Sequence, residues 1–304
     1  MRLRNGRRLK KRALAVVADL FGHEVAEEET VANLSKGCRV YLASVGVADP
    51  DASAETAALV WMHALAVGYS PAYLSENADG IRNDWPRVPL PAARDRLEAS
   101  AALGRRIATV LDTEAPVEGV TAGALRLELR AIGAASRMGG GALKPREFRV
   151  TAGWGHAGPS TSSGRGVTMP GKGKVVERDY TAEERAAIAG GTAALGLTQA
   201  EAFACLGEST FDVYLNDTAY WGNVPARAWG YTIGGYQVVK KWLSYREYGL
   251  LGRPLSGDEV REVANMARRI AAILLLQPSL DANYRAVAAQ PYPWPGHRSA
   301  PRLS

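Results

Sequence analysis

The sequence predicts an α+β fold: a helical N-terminal half, an antiparallel-rich mixed sheet in the middle and a helical C-terminal cap. Three observations predict it. Between Asp49 and Leu111 apolar residues recur at three- and four-residue steps, the spacing of one helix face. From Leu125 the texture changes to leucines alternating with charges, the period of a strand with one wet face. From Ser256 helical spacing returns, behind a hydroxyl with a carboxylate three residues on, the signature of a helix start.

A chain of 304 residues with 47% hydrophobic residues can bury a substantial core. No apolar run reaches the roughly 18 residues of a membrane span. The cations of Met1–Arg12 lack the apolar block and cleavage site of a secretion signal. Two cysteines, Cys38 and Cys205, stand in no metal-ligand spacing and suit a reducing compartment better than a disulfide framework, so a cytoplasmic location is expected. The net charge of +6 is misleading, because residues 1–12 hold seven Lys/Arg and no acid. The distribution says more. Residues 25–120 sum to −6, residues 121–180 to +6, residues 181–225 to −5 and residues 226–269 to +4. Two basic blocks flanking an acidic one matter for partners if folding unites them.

In chain order, Met1–Arg12 reads as a solvated tail or an arm for phosphate, and Ala13–Phe21 as a short helix. Ala57, Val60, Trp61, Ala64, Leu65 and Gly68 form a helical stripe over Asp49–Tyr69, capped by Asp51 or Ser53, with His63 as a core histidine. Ser70-Pro71 opens the next helix. The prolines of Asp84–Pro91 demand extended backbone, with Arg87 paired to a nearby acid or turned to phosphate. Ala92–Leu111 is a long helix. Leu125–Ala131, Phe148–Thr151 and Lys174–Tyr180 read as strands around a Gly/Ser-rich loop, Gly153–Gly173. Inside it, Gly166–Gly173 nearly spells a phosphate-binding loop. Gly173 stands where a magnesium-holding hydroxyl belongs, Pro170 removes a donor, and no helix follows, so nucleotide binding is not expected. A basic hairpin tip is the alternative reading.

Thr181–Glu184 and Thr198–Glu201 are capping boxes that open two short helices. Phe211–Leu215 and Ala219–Trp221 are strands around the turn pair Asn216-Asp217; Asn216, Asp217 and Asn223 are turn formers first and base readers second. Ala226–Ile233 reads as a strand, Gly234-Gly235 as a turn, and Tyr236–Arg246 as a helix that buries Trp242 and Leu243 and exposes Lys240 and Lys241. Val260, Val263, Ala267, Ile270 and Leu274 mark the face of a helix expected to stop at Pro278, before a last short helix to Val287.

Ile233-Gly-Gly-Tyr-Gln-Val-Val-Lys-Lys-Trp-Leu-Ser-Tyr-Arg246 resembles the C-terminal signature of type ISP restriction–modification enzymes and related adenine methyltransferases. Tyr214-Leu-Asn216 with Ala219-Tyr-Trp221, Gly68-Tyr-Ser-Pro-Ala-Tyr73 with Asp84-Trp-Pro-Arg-Val-Pro89, and Ala264–Tyr284 fit the same pattern. The resemblance runs from about Val31 to Val287. It implies a target recognition domain that reads double-stranded DNA for a neighbouring methyltransferase. The chain is expected to divide into a basic arm and short helix (1–24), a helical spacer or docking region (25–120), an α+β DNA recognition domain (121–289) and a Pro-rich disordered tail (290–304). The parts that such an enzyme uses for chemistry are not found: no Asn/Asp-Pro-Pro-aromatic tetrapeptide, no glycine-rich turn for S-adenosylmethionine, no nuclease-type carboxylate cluster. No cofactor is therefore expected in this chain, and S-adenosylmethionine only in a partner. By charge, Arg165, Lys172, Lys174, Lys240, Lys241 and Arg246 are the candidate DNA-facing residues. The rival readings are a module that docks a separately encoded methyltransferase, with the Trp61 helix and Asp84–Pro91 as interface, and the remnant of a truncated methyltransferase gene.

Overall fold

The computed structural model describes residues 16–18, 24–26, 31–155 and 173–294. Near the N-terminus, β1 (Val16–Ala18) pairs antiparallel with β2 (Glu24–Ala26), so the helix expected over Ala13–Phe21 is replaced in part by a strand. The β-branched Val16-Val17 pair favours extended backbone over a helix.

The helical half follows. It comprises α1 (Lys36–Ser44), α2 (Ala54–Gly68), α3 (Pro71–Glu76), α4 (Ala78–Asn83) and α5 (Arg94–Leu111). Ser53 caps α2, its Oγ accepting from the Thr56 N–H; Asp51 instead takes both guanidinium arms of Arg39 at 2.8 Å. α5 buries Leu97, Ala101, Gly104 and Ile107, a three-to-four-residue stripe, chiefly against α2. His63 is fully buried between these helices, as expected. Its Nε2 faces only the Pro89 carbonyl at 2.8 Å and must donate, so Nδ1 accepts from the Ser100 hydroxyl at 2.7 Å. Burial holds the imidazole below its ordinary pKa and keeps it neutral.

The middle of the chain contains α6 (Leu127–Arg130), β3 (Ala134–Arg137), a 3₁₀ turn (Pro145–Phe148), β4 (Val175–Asp179), α7 (Ala182–Ala193), α8 (Gln199–Leu206), β5 (Ser209–Tyr214) and β6 (Ala219–Pro225). The strands form one wholly antiparallel sheet in the order β3-β6-β5-β4. Thr181 and Thr198 close capping boxes with Glu184 and Glu201, as expected. Leu125–Ala131 is not a strand. Its alternating pattern also fits one helical turn, and α6 buries Leu129 and Glu128 while Leu127 stays exposed. Phe148–Thr151 joins no sheet either. Its backbone instead serves the far end of the chain, Phe148 and Val150 carbonyls accepting from the Leu255 and Tyr248 N–H groups.

Between β5 and β6 the register shifts at Asp212, and Asn223 sits there with φ of 56°. This is a β-bulge, and asparagine is among the few residues that tolerate that backbone region. The Asp212 carboxylate accepts the Asn223 N–H at 3.2 Å and also binds Arg178, whose other arms clasp Glu184 at 2.8 Å. Three elements are thus tied at one guanidinium.

The last part runs α9 (Ala226–Trp229), β7 (Thr232–Ile233), β8 (Tyr236–Gln237), α10 (Val238–Ser244), α11 (Tyr248–Leu251) and α12 (Gly257–Ala289). The strand expected over Ala226–Ile233 is corrected to a helical turn and a two-residue strand. Ala-Arg-Ala after Pro225 favours the helix, being strong helix formers behind a residue suited to a first turn. The helix opened by Ser256 and Glu259 does not stop at Pro278 but runs on to Ala289. Proline removes one helical hydrogen bond, at a cost of about 3 kcal/mol. Burial of Leu274, Leu275 and Leu276 before it and Leu280, Tyr284 and Val287 after it offsets that cost.

α12 is the spine. It packs on α2, α3, α5, α8, α9, β3 and β6, and its side chains finish other helices. Arg269 donates to the carbonyls of Val110, Asp112 and Ala115, the end of α5. Asp281 accepts from the Ser70 hydroxyl at 2.6 Å and the Ala72 N–H at 2.9 Å, the start of α3. Cation at a C-terminus and carboxylate at an N-terminus match the helix dipoles. Trp221 of β6, fully buried, donates its indole N–H to the Val260 carbonyl at 3.0 Å.

Candidate nucleic-acid interface

The second basic block folds directly onto the first. The Tyr248 N–H donates to the Val150 carbonyl at 2.7 Å, the Leu255 N–H to that of Phe148 at 3.0 Å, and the Trp154 N–H to the Glu247 carboxylate. The Trp154 ring stands edge-on to Trp229, 5.5 Å between centres. Gly173 lies so close to that indole that a Cβ would strike the ring, at 2.1 Å from one of its carbons, so a glycine is needed where the chain re-enters the sheet.

Around this junction the cations are held by aromatic rings. The Arg149 guanidinium lies 4.8 Å from the Tyr248 ring centre, and Lys174 Nζ lies 4.4 Å from that of Tyr214, which itself stacks on Tyr220. Lys241 Nζ sits 4.7 Å from both the Tyr236 and Tyr245 rings. Ring quadrupoles attract a cation without neutralising it. A side-chain hydrogen bond with Tyr245 is the main cause holding Lys241 above its ordinary pKa, so it stays charged at neutral pH.

Of the six residues chosen from sequence, Lys174 is exposed, with Asp217 at 3.4 Å as a weak ionic partner. Lys240 and Lys241 are half-buried rather than fully exposed, because α10 lies along the protein rather than standing off it. Arg246 is occupied: its guanidinium stacks 3.8 Å over the Trp242 ring and lies 3.8 Å from Glu259. Trp242 is only half-buried, with its N–H on Glu262 at 3.2 Å, whereas Leu243 is fully buried, so the anchor of α10 is the leucine. Arg165 and Lys172, with most of the near phosphate-binding motif, lie outside the described residues.

Three cations were not singled out from the sequence. Lys144, Arg146 and Arg149 are exposed around the 3₁₀ turn, and no ion pair among the described residues includes them. The signal was present as Gly139-Gly140-Gly141-Ala-Leu-Lys-Pro-Arg146, a glycine run feeding a proline flanked by cations. The polar turn residues are committed elsewhere. Asn216 accepts from the Thr218 and Ala219 N–H groups and donates to the Glu147 and Arg149 carbonyls, and Asn223 is buried. Arg87 pairs with Asp84 at 2.8 Å.

Among the described residues no group of His, Cys, Asp and Glu is arranged to hold a metal, and no helix is long and apolar enough to cross a membrane. Fold and surface together define a mixed α+β protein that presents cations on an aromatic scaffold. The family model described as the type ISP C-terminal specificity domain matches residues 26–270, and the chain belongs to that family. Membership supports a role in DNA target recognition within restriction–modification. No match is found among curated proteins or among solved structures.

Proposed function

We propose that this chain reads a specific double-stranded DNA sequence on behalf of an adenine methyltransferase or restriction enzyme whose catalytic domain lies elsewhere. The observation that carries this reading is the contact between the two basic blocks, both inside the matched family region. Lys144, Arg146, Arg149, Lys174, Lys240 and Lys241 are its phosphate-contacting cations, joined by Arg165 and Lys172; polar and apolar contacts in the grooves specify the site. Arg246 supports α10 through Trp242. S-adenosylmethionine belongs to the partner, so titrating it into this chain alone is expected to release no heat.

Each phosphate contact releases condensed counterions, giving a log–log salt slope of about −0.9 per contact. Fluorescence anisotropy on random duplex DNA across a salt series, with the chain lacking residues 1–12, tests the reading. Substituting alanine for one contacting cation should flatten the slope by about one unit and weaken all sequences alike. Absence of salt-dependent binding would remove the physical basis of DNA recognition. The docking reading would then take its place, favoured by Trp61 and Trp85 of the helical half, 54% and 68% exposed.

A further inference from the structure

The β7–β8 ribbon is absorbed by neither core nor sheet. It pairs only with itself, Thr232 opposite Gln237 and Ile233 opposite Tyr236, across a tip in which Gly234 and Gly235 have φ of 58° and 82°. Consecutive positive φ angles build the tight turn whose twist matches a hairpin. Opposed residues share a face. One face of the ribbon is therefore the apolar pair Ile233 and Tyr236, and both are left largely in water, 55% and 61% exposed.

So small a ribbon is marginal alone, and this one is braced at its base. The Val238 N–H donates to the Tyr231 carbonyl at 3.0 Å, the Gln237 side-chain amide donates to the Trp229 carbonyl, and Val239 and Leu243 behind it are buried. Cations stand where the ribbon meets α10: Lys241 against the Tyr236 ring, Lys240 beside it in sequence. Two carboxylates line the cavity beside the ribbon. Ile233 borders a cavity of about 450 Å³ with Asp258 and Glu262, but Asp258 pairs with Arg261 and Glu262 accepts from the Trp242 indole.

We propose that this ribbon is a groove-reading finger: it enters the major groove, where Ile233 and Tyr236 make apolar contacts with base edges, thymine methyls first, while Lys240 and Lys241 hold the flanking phosphates. The inference rests on the DNA-recognition reading and names the element that supplies specificity. The fit is geometric. The major groove of B-DNA, about 12 Å wide, admits a two-stranded ribbon as it stands, whereas the minor groove, about 6 Å wide, must first be widened at a cost in deformation energy. An exposed apolar pair on a ribbon braced at its base, with cations beside it, complements an anionic partner with methyl groups inside its groove.

The test is selection of preferred sequences from a randomised duplex library by the 304-residue chain, repeated with Ile233→Ser, Tyr236→Ala and Lys241→Ala. The native chain should select a consensus. Ile233→Ser and Tyr236→Ala should lose about five-fold or more of the discrimination at one or two adjacent base pairs, with salt slope unchanged. Uracil in place of thymine at those pairs should reproduce the loss in the native chain and add nothing in the variants. Lys241→Ala should flatten the slope and keep the consensus. If both tip variants, folded by circular dichroism, select the native consensus with native discrimination, the ribbon is not the reader, although DNA recognition stands. If the native chain binds no duplex, the recognition reading itself fails and takes this inference with it.

Discussion

The cations of the helical half and those around the sheet are held in different ways. Arg39, Arg82, Arg87, Arg94 and Arg105 each lie within 4.0 Å of a carboxylate in their own region. Around the sheet, Arg149 and Lys241 rest on tyrosine rings, Lys174 is shared between the Tyr214 ring and Asp217 at 3.4 Å, and Lys144 and Arg146 stand clear of any ion pair among the described residues. An ion pair spends a charge locally, whereas a ring orients a cation and leaves it able to meet a phosphate. The division is not complete, since Arg137 and Arg178 at the sheet are ion-paired and Lys36 of the helical half is in no ion pair among the described residues. Charge written locally in the sequence is thus available to a partner where the fold leaves a cation without a carboxylate or shares it with a ring.

The largest expected loss lies at the sheet. Trp221 is fully buried and bonded to α12, so Trp221→Ala should cost about 3–5 kcal/mol in urea unfolding. A smaller loss would mean that the sheet is not seated on α12. Next comes Trp242, half-buried under Arg246; Trp242→Ala should cost only about 1–2 kcal/mol, below the roughly 3–5 kcal/mol of deleting a fully buried aromatic. A core-sized loss would place that tryptophan with the sheet core instead.

A third effect is pH-dependent. Glu259, bonded by Arg253 and by the Ser256 N–H, has its pKa lowered to about 2. A carboxylate depressed in the folded state stabilises fully above its unfolded value and loses that contribution as pH falls through its folded one. Stability should therefore decline between roughly pH 4.5 and pH 2, and Glu259→Gln should flatten that limb when the urea midpoint is followed against pH. An unchanged limb would assign acid sensitivity elsewhere. The smallest effect distinguishes the two kinds of cation directly. Arg82→Ala, removing an exposed pair with Asp79, should stay within about 0.5 kcal/mol of the native stability and leave DNA affinity untouched. Arg149→Ala should be as mild for stability yet flatten the salt slope by about one unit. Equal behaviour of the two on DNA would erase the distinction.

Much of the architecture was legible because its signals are short-range. Ser53, Thr181, Thr198 and Ser256 cap helices whose amides lie three residues away, and the stripe on α5 repeats every three or four residues. Neither needs knowledge of a distant partner. The same locality explains the errors. Leu125–Ala131 alternates like a strand, yet packing of the fully buried Leu129 in a turn set against α7, with Leu127 left exposed, decides for a helical turn. Of the candidate site, the blocks and Lys174, Lys240 and Lys241 were readable as charge, but Lys144, Arg146 and Arg149 stand out only once the chain around Tyr248 and Leu255 is seen to fold onto Phe148 and Val150.

By itself, then, the sequence determined the α+β class, the capped helix starts, the family, and the two positively charged segments. Tertiary structure alone decided that α12 continues through Pro278, that Arg269 and Asp281 finish helices more than 150 residues away, and which cations remain unpaired. The physical reason is range. Caps and periodicities act within a turn of helix, whereas the offset for a proline, the partner of a buried guanidinium and the absence of a carboxylate beside a lysine depend on contacts that only the packed chain creates.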